Sequence, residues 1–301
     1  MDIKEVGLTC IEIKLLSWIR GKYAIYSQDK QNRQWRTKKL WAWEVWRYID
    51  RAVKDDIINN RYDILSRRIF AFIFARGGSK GLPGKNLLAI NNKPLIAHSI
   101  DCAKKIPMID RIYVSSDCPN ILEVSSSYGA ETIIRPAELG SDCSPEWLSW
   151  QHAVNAVTRQ AGKFDVFVSL PATSPTRKKD DVEKCISCFC SSISNNTLVL
   201  TVAKAKRNPY FNMVSVSDNG CANRLIDIDS TISRRQDAPP AYDITNGCYV
   251  TSPRYILDSK SIWDEGVKAV IIPPENSIDI DTIFDFQMAK FLLEYNHEQD
   301  I

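Results

Sequence analysis

The sequence predicts an α/β fold, a mainly parallel sheet with helices on both faces. Two observations carry this reading: apolar runs of strand length recur from residue 68 onward, and amphipathic helical stretches lie between several of them. The first run, Ile69 to Ala75, is continuously apolar, as expected of a strand buried on both faces of a parallel sheet. A helical stretch follows from Pro94 to about Ile106. Further strand-like runs are Arg111 to Val114, Glu131 to Ile134, Phe164 to Leu170, Thr197 to Val202 and Val267 to Ile272. Helical patterns span Glu146 to Arg159 and Asp180 to Cys190. The run from Ile283 to Glu294 reads as a terminal helix, with apolar residues at Ile283, Phe284, Phe286, Met288, Phe291 and Leu292. In open sheets of this kind ligands bind beyond the carboxyl ends of the strands, so the chemistry is expected in the loops that follow each run.

Composition narrows the function classes. The 301 residues are 44% hydrophobic and 25% charged, an ordinary globular balance. The formal net charge is only +3, too small for a global basic field that would advertise nucleic-acid binding. No apolar run reaches the roughly 20 residues of a membrane span, and Met1 to Glu5 do not open like a secretory signal. The 9 cysteines are odd in number and scattered, which favours a reducing, cytoplasmic setting over a disulfide framework. Cys185, Cys188 and Cys190 cluster on one helical stretch. They read either as small buried hydrophobes or as an incomplete metal site that lacks a nearby fourth ligand. His98, His152 and His297 stand apart without carboxylate motifs, which argues against a His-based hydrolase.

Residues 1–66 differ from the remainder. They hold 5 of the 8 tryptophans and 13 Lys and Arg against 9 Asp and Glu, so the whole positive excess of the chain resides there. Basic and aromatic residues interleave from Gln34 to Arg51. That pattern fits an anionic surface such as a membrane or nucleic acid, and equally a helical element whose aromatic rings pack on the main domain or on a partner. No function is assigned to this extension, and residues 67–301 are read as the functional domain.

The loop after the first strand is Arg76-Gly77-Gly78-Ser79-Lys80-Gly81-Leu82-Pro83-Gly84-Lys85-Asn86. Four glycines let backbone N–H groups approach a ligand, and three cations supply charge for a polyphosphate. It is not a Walker loop: Ser79 occupies the place of the first glycine, and Asn86 replaces the metal-binding Ser or Thr after the lysine. No Gly-x-Gly-x-x-Gly dinucleotide motif occurs in it either.

From Ala75 to Asn86 the loop resembles, at every fixed position, the Ala-Arg-Gly-Gly-Ser-Lys-Gly-x-Pro-x-Lys-Asn segment of the CMP-sialic acid synthetases, the acylneuraminate cytidylyltransferases. The resemblance continues in order through Val114-Ser115-Ser116-Asp117, Arg135-Pro136-Ala137-Glu138-Leu139, Thr173-Ser174-Pro175-Thr176-Arg177, Arg234-Arg235-Gln236-Asp237, Asn246-Gly247 and Ser277-Ile278-Asp279-Ile280-Asp281-Thr282. It covers roughly Arg68 to Glu294. It implies a Rossmann-like nucleotidyltransferase sandwich of three layers with a small dimerisation arm at about 203–242, hence a homodimer with composite sites. It also implies an enzyme that transfers CMP from CTP to the anomeric hydroxyl of a nonulosonic acid. The same chemistry on Kdo or another 2-keto-3-deoxy acid is the nearest alternative, and a catalytically silent scaffold is a further one.

The resemblance also implies roles. Arg76, Gly77, Ser79, Lys85, Asn86 and Arg135 would line the CTP site, with Lys80 a weaker candidate. Arg76 suits bidentate phosphate contacts and Lys85 offers a point charge for the α-phosphate, because nucleotidyl transfer needs its charge neutralised more than it needs covalent chemistry. Asp279 and Asp281 would hold Mg²⁺. In an extended segment both carboxylates share one face while Ile278 and Ile280 take the other, although the same residues would also suit a solvated strand end that caps the next helix. Asp281 is placed with Arg76, Lys85 and Arg235 among the catalytic residues. Arg235, with Arg234 and Gln236, would anchor the acid's carboxylate, and Thr173, Ser174 and Asn246 would supply polar contacts; Asp237 and Tyr242 could add to them, and Gly247 would leave room for close approach. One departure stands out: Pro171-Ala172 replaces a Gln-containing pair that many relatives place before Thr-Ser-Pro.

Overall fold

The structure is a computed structural model, and it describes residues 67–78, 81–141, 144–192, 197–227, 234–264 and 266–299. The Trp-rich extension, Ser79 and Lys80 lie outside the described residues. Strands β1 (Ile69–Phe74), β4 (Arg111–Ser116), β5 (Glu131–Ile134), β6 (Val166–Ser169), β7 (Leu198–Lys204), β10 (Tyr242–Thr251) and β11 (Val267–Ile271) form a seven-stranded sheet in the order β11-β7-β10-β6-β1-β4-β5. β1 pairs parallel with both β4 and β6, β4 with β5, and β7 with β11. β10 alone is antiparallel, wedged between β6 and β7. A small β2–β3 pair (Ala89–Ile90, Lys93–Pro94) and a β8–β9 hairpin (Val214–Val216, Ala222–Arg224) stand apart from the sheet.

The period of two along β1 sorts its side chains between two cores. Ile69, Ala71 and Ile73 face helices α1 (Leu95–Lys104), α2 (Pro119–Ser127) and α4 (Lys179–Cys190), packing with Ile96, Ile100, Ile121, Val182 and Ile186. Phe70 and Phe72 face α3 (Glu146–Ala161) and α5 (Pro253–Asp258), meeting Trp150, Val154, Val157 and Tyr255. The stacked rings of Phe72 and Phe167, 4.5 Å between centroids, tie β1 to β6 on that face. Each such fully buried side chain contributes about 1.5–3 kcal/mol of transfer free energy. Three layers result, helices on both faces of one sheet, as the sequence predicts.

The expected strands and helices coincide with observed ones to within about two residues, the disagreement usual at element ends, apart from the terminal helix. That helix, α6, runs longer, Ile283–Gln299. Cys185 and Cys190 are buried in the first core and Cys188 packs against it, the hydrophobe's role. A hydrogen bond with Cys248, together with burial, pushes the Cys185 thiol upward. Among the described residues no helix is long and apolar enough to cross a membrane. The arm falls between β7 and β10. Its hairpin exposes Val214 and Val216 at 57% and 66%, apolar side chains with no core of their own.

Candidate active site

The carboxyl ends of β1, β5 and β6 open into a cleft of about 240 Å³, lined among others by Arg76, Lys85, Asn86, Arg135, Glu146, Thr173 and Asn246. The loop after β1 forms one wall. Its Lys85 starts a single 3₁₀ turn and sends Nζ to Asp281 Oδ1 at 2.9 Å and to the carbonyl of Ile280 at 2.8 Å. Gly81 fixes the same contact from the backbone, since a Cβ there would stand 2.4 Å from the carbonyl oxygen of Asp281. Two segments nearly 200 residues apart in sequence are therefore in direct contact across the cleft.

The Asp-Ile-Asp segment alternates as an extended chain should. Ile280 is fully buried in a small cluster with Ile90, Leu95 and Ala289, while its N–H binds the Thr173 carbonyl at 2.9 Å. The capping function falls to the next residues: the Asp285 carboxylate accepts from the Thr282 N–H at 2.8 Å and from the Thr282 hydroxyl at 2.7 Å. These bonds hold the Asp285 carboxyl below the usual carboxylate range. Neither Asp279 nor Asp281 lines the cleft itself, but each carboxylate meets a residue that does, Asn246 and Lys85 respectively. Asp279 Oδ2 accepts from Asn246 Nδ2 at 2.6 Å, whereas Oδ1 is buried without a hydrogen-bond partner. Burial lifts the Asp279 carboxyl above its ordinary range and the charge of Asp281 adds to this; Thr173, Asn246 and Lys85 pull the other way. Two hard oxygen donors, one with an orphaned buried lone pair, fit a Mg²⁺ ion that completes its shell with water and phosphate oxygens.

On the opposite side Arg135, only 5% exposed, donates to Asp117 Oδ1 at 3.2 Å and to the Ala75 carbonyl at 3.2 Å. Asp117 also accepts from the Gly77 N–H at 3.1 Å. Burial alone would raise the Asp117 carboxyl, but the Gly77 N–H and Arg135 more than offset it and hold it low. Asn86 is buried, gives Nδ2 to the Arg76 carbonyl at 3.0 Å, and keeps Oδ1 without a partner. Arg76 lines the cleft, as does Thr173.

Not every expected residue arrives here. Ser174 is fully buried behind Thr173 and does not line the cleft. Arg234, Arg235 and Gln236 are exposed at the foot of the arm and are likewise absent from its lining. Arg234 pairs with Asp237 at 2.9 Å, and Arg235 donates to the carbonyls of Ala205 and Lys206 at 3.1 and 2.7 Å. The close approach that Gly247 permits is made by the chain itself: a Cβ there would stand 2.6 Å from Thr201 Oγ1.

Other residues enter unannounced by the sequence. Glu146, the first residue of α3, lines the cleft and keeps an exposed surface; its Oε1 accepts from Trp150 Nε1 at 3.1 Å. Desolvation raises its carboxyl. Tyr249 is pushed up to about 12, chiefly by burial and then by Glu146. The only sequence signal for Glu146 is an acidic residue at a helix start, which is commonplace.

A glycine-rich cationic loop and a carboxylate pair facing each other at the carboxyl ends of a mainly parallel sheet define a nucleotidyltransferase. A cytidylyltransferase family model matches residues 70–145. The CMP-N,N'-diacetyllegionaminic acid synthase of Campylobacter jejuni is 30% identical over 75% of this chain and 94% of its own length. The pseudaminic acid cytidylyltransferase of the same species is 31% identical over 74% of this chain and 95% of its own. The solved structure of CMP:2-keto-3-deoxy-manno-octonic acid synthetase complexed with CTP superposes with a TM-score of 0.58 at 16% identity, covering 76% of this chain and 99% of that one, a likeness of fold. The chain belongs to the CMP-sialic acid synthetase-like family of cytidylyltransferases and is an enzyme of the nucleotidyltransferase class.

Proposed function

We propose that this enzyme transfers CMP from CTP to the anomeric hydroxyl of a nonulosonic acid, releasing pyrophosphate. The observation that carries the proposal is the contact of Lys85 with Asp281 at 2.9 Å, which sets the phosphate-binding loop against the carboxylate pair. Lys85 and Arg76 neutralise the triphosphate; Lys85 exchanges its carboxylate partner for a phosphate oxygen as the nucleotide enters. Asn86, on the same loop, and Arg135 hold the nucleotide. Asp279 and Asp281 would hold Mg²⁺, which when bound supplies charge neutralisation at the reacting phosphate. Asn246 fixes the orientation of Asp279, while Thr173 offers a hydroxyl to the acceptor. The anionic acceptor needs a cation for its carboxylate, and Arg235 is assigned that task with Arg234 and Gln236 beside it, delivered by the arm of a second subunit in a homodimer.

Two relatives that act on different nonulosonic acids match this chain equally well, so the class of acceptor is proposed here and not one member. Pro171 and Ala172 line the cleft with no side-chain donor or acceptor, which leaves recognition of the acyl-amino groups to other residues. Incubation with CTP, Mg²⁺ and separately N-acetylneuraminic, legionaminic, pseudaminic and Kdo acids tests the proposal, with products weighed by mass spectrometry. A CMP adduct with at least one nonulosonic acid and pyrophosphate in equal amount is expected. A product with Kdo alone overturns the acceptor class, and no product with any acid overturns the activity.

A further inference from the structure

Arg177 lies in the loop between β6 and α4 and is 6% exposed. Its guanidinium faces no carboxylate within ion-pair distance among the described residues. It is instead surrounded by neutral acceptors, two of which, Pro171 and Asn246, line the cleft. Nη2 donates to the Pro171 carbonyl at 2.6 Å and to the Asn246 carbonyl at 3.1 Å; Nη1 donates to Ser99 Oγ at 3.0 Å; Nε donates to the Gly247 carbonyl. Ser99 in turn donates to the Pro171 carbonyl at 3.1 Å. Burial lowers the guanidinium's proton affinity, the expected mark of a cation kept out of water. Asp279 exerts only a more distant attraction, and a buried charge with no ion-pair partner is costly, so stability alone would be served as well by an apolar side chain of similar size.

Two of the four acceptors belong to the bulge in β10. The pairing register of β10 with β7 breaks between Ile244 and Tyr249, and the carbonyls that Arg177 binds, those of Asn246 and Gly247, lie inside that break. Bulged residues have lost ladder partners, and their carbonyls need others. On the far side of the bulge, Thr201 Oγ1 accepts from the Cys248 N–H at 3.0 Å and from the Thr245 hydroxyl at 2.8 Å. The side chain presented by this clamped segment is Asn246, whose amide meets Asp279 at 2.6 Å.

We infer that Arg177 is a positioning residue: its planar fork locks the β10 bulge to the Pro171 turn, and thereby holds Asn246 against Asp279 and Thr173 beside it. The inference rests on the proposed reaction only for its kinetic consequence; the clamp itself is a property of the free protein. A lysine at 177 keeps the charge but has one point of attachment where the guanidinium has several, so it cannot bridge three carbonyls and a hydroxyl.

Two measurements on Arg177→Lys test this. Hydrogen exchange in the free protein is expected to quicken about tenfold or more at 245–250, with β1, β4 and β6 unchanged; unchanged exchange at the bulge overturns the inference whether or not the enzyme turns over any acid. In steady-state assays kcat is expected to fall about tenfold or more, while the dissociation constant for CTP from calorimetry stays within about twofold, because a small displacement of a reacting group is costly whereas the CTP wall is untouched. In the Asn246→Ala background the same substitution should cost little more, since it acts through Asn246; fully multiplicative losses overturn the inference. Should the lysine variant fail to fold, Ser99→Ala removes one strut with the guanidinium in place. It is expected to quicken exchange at the bulge by a smaller factor and to lower kcat about threefold, and no change in either overturns the inference.

Discussion

At the phosphate loop Lys85 keeps 15% of its side-chain exposure and is fixed at two points by residues of the Asp-Ile-Asp segment. On the arm Arg234 keeps 68%, and Arg235 rests on main-chain carbonyls of its own arm, away from the cleft. Both regions carry the cations that a reaction between two anions demands. One set is built into the fold by contacts of long sequence separation; the other sits on a projection whose apolar residues, Val214 and Val216 among them, stand exposed among the described residues. On the proposed reaction, the two substrates would fall to two kinds of architecture. The nucleotide half would then be complete in one chain, and the acid half would be completed by a second one.

The sharpest way to break that division is to remove each cation in turn. Lys85→Met is expected to give the largest loss, about 10³-fold in kcat/KM, or roughly 4 kcal/mol of transition-state stabilisation, the scale of deleting one preorganised charge-stabilising donor. Arg235→Ala is expected to raise KM for the acid about tenfold or more with KM for CTP unchanged. If the two cations act in one site contributed by two subunits, mixing the two variants after reversible dissociation restores activity to about a quarter of wild type, since a symmetric heterodimer regains one intact site. No recovery on mixing, with dimers confirmed by sedimentation, would place both cations in one chain and remove the contrast.

The same contrast governs what the sequence made legible. The phosphate loop is contiguous, so its glycines and cations are visible together; the carboxylate pair is two residues apart, and its alternation could be read directly. β10 was not foreseen, although it stands at the centre of the sheet. Asp243, Asn246 and Gly247 look like turn residues, and they are present because the strand bulges there to present Asn246. α2 was hidden by a run of serines with modest helix propensity, although Pro119 at its first turn suits a helix start. Asp117 and Arg177 fall within recognisable motifs, yet their roles come chiefly from contacts 18 to 78 residues away, which no local pattern encodes. Glu146 differs again: an acidic residue opening a helix is ordinary, and only its place in the cleft wall makes it unusual.

Glu146 therefore yields the smallest and cleanest prediction, a strain carried by the nucleotide half alone. Its carboxyl lies above the ordinary glutamate range because the cleft desolvates it. Below that ordinary range, about 4.3, it is protonated in both folded and unfolded chains and costs nothing. As the pH rises toward the elevated native value, the unfolded chain gives up its proton while the folded one retains it, so stability falls through that window; above it the full cost is present. Glu146→Gln keeps an oxygen for Trp150 Nε1, which now binds Oε1 at 3.1 Å, and removes the ionisation. The variant's Tm is expected to exceed wild type at neutral pH, with the gap closing as the pH approaches 4.3. Asp117 and Asp285, whose carboxyls are held low, contribute in the opposite direction but equally to both proteins, so they cancel in the difference. A gap that is independent of pH, or of opposite sign, would show that the cleft does not desolvate this carboxylate, and the nucleotide half would then be more open than its Lys85–Asp281 contact implies.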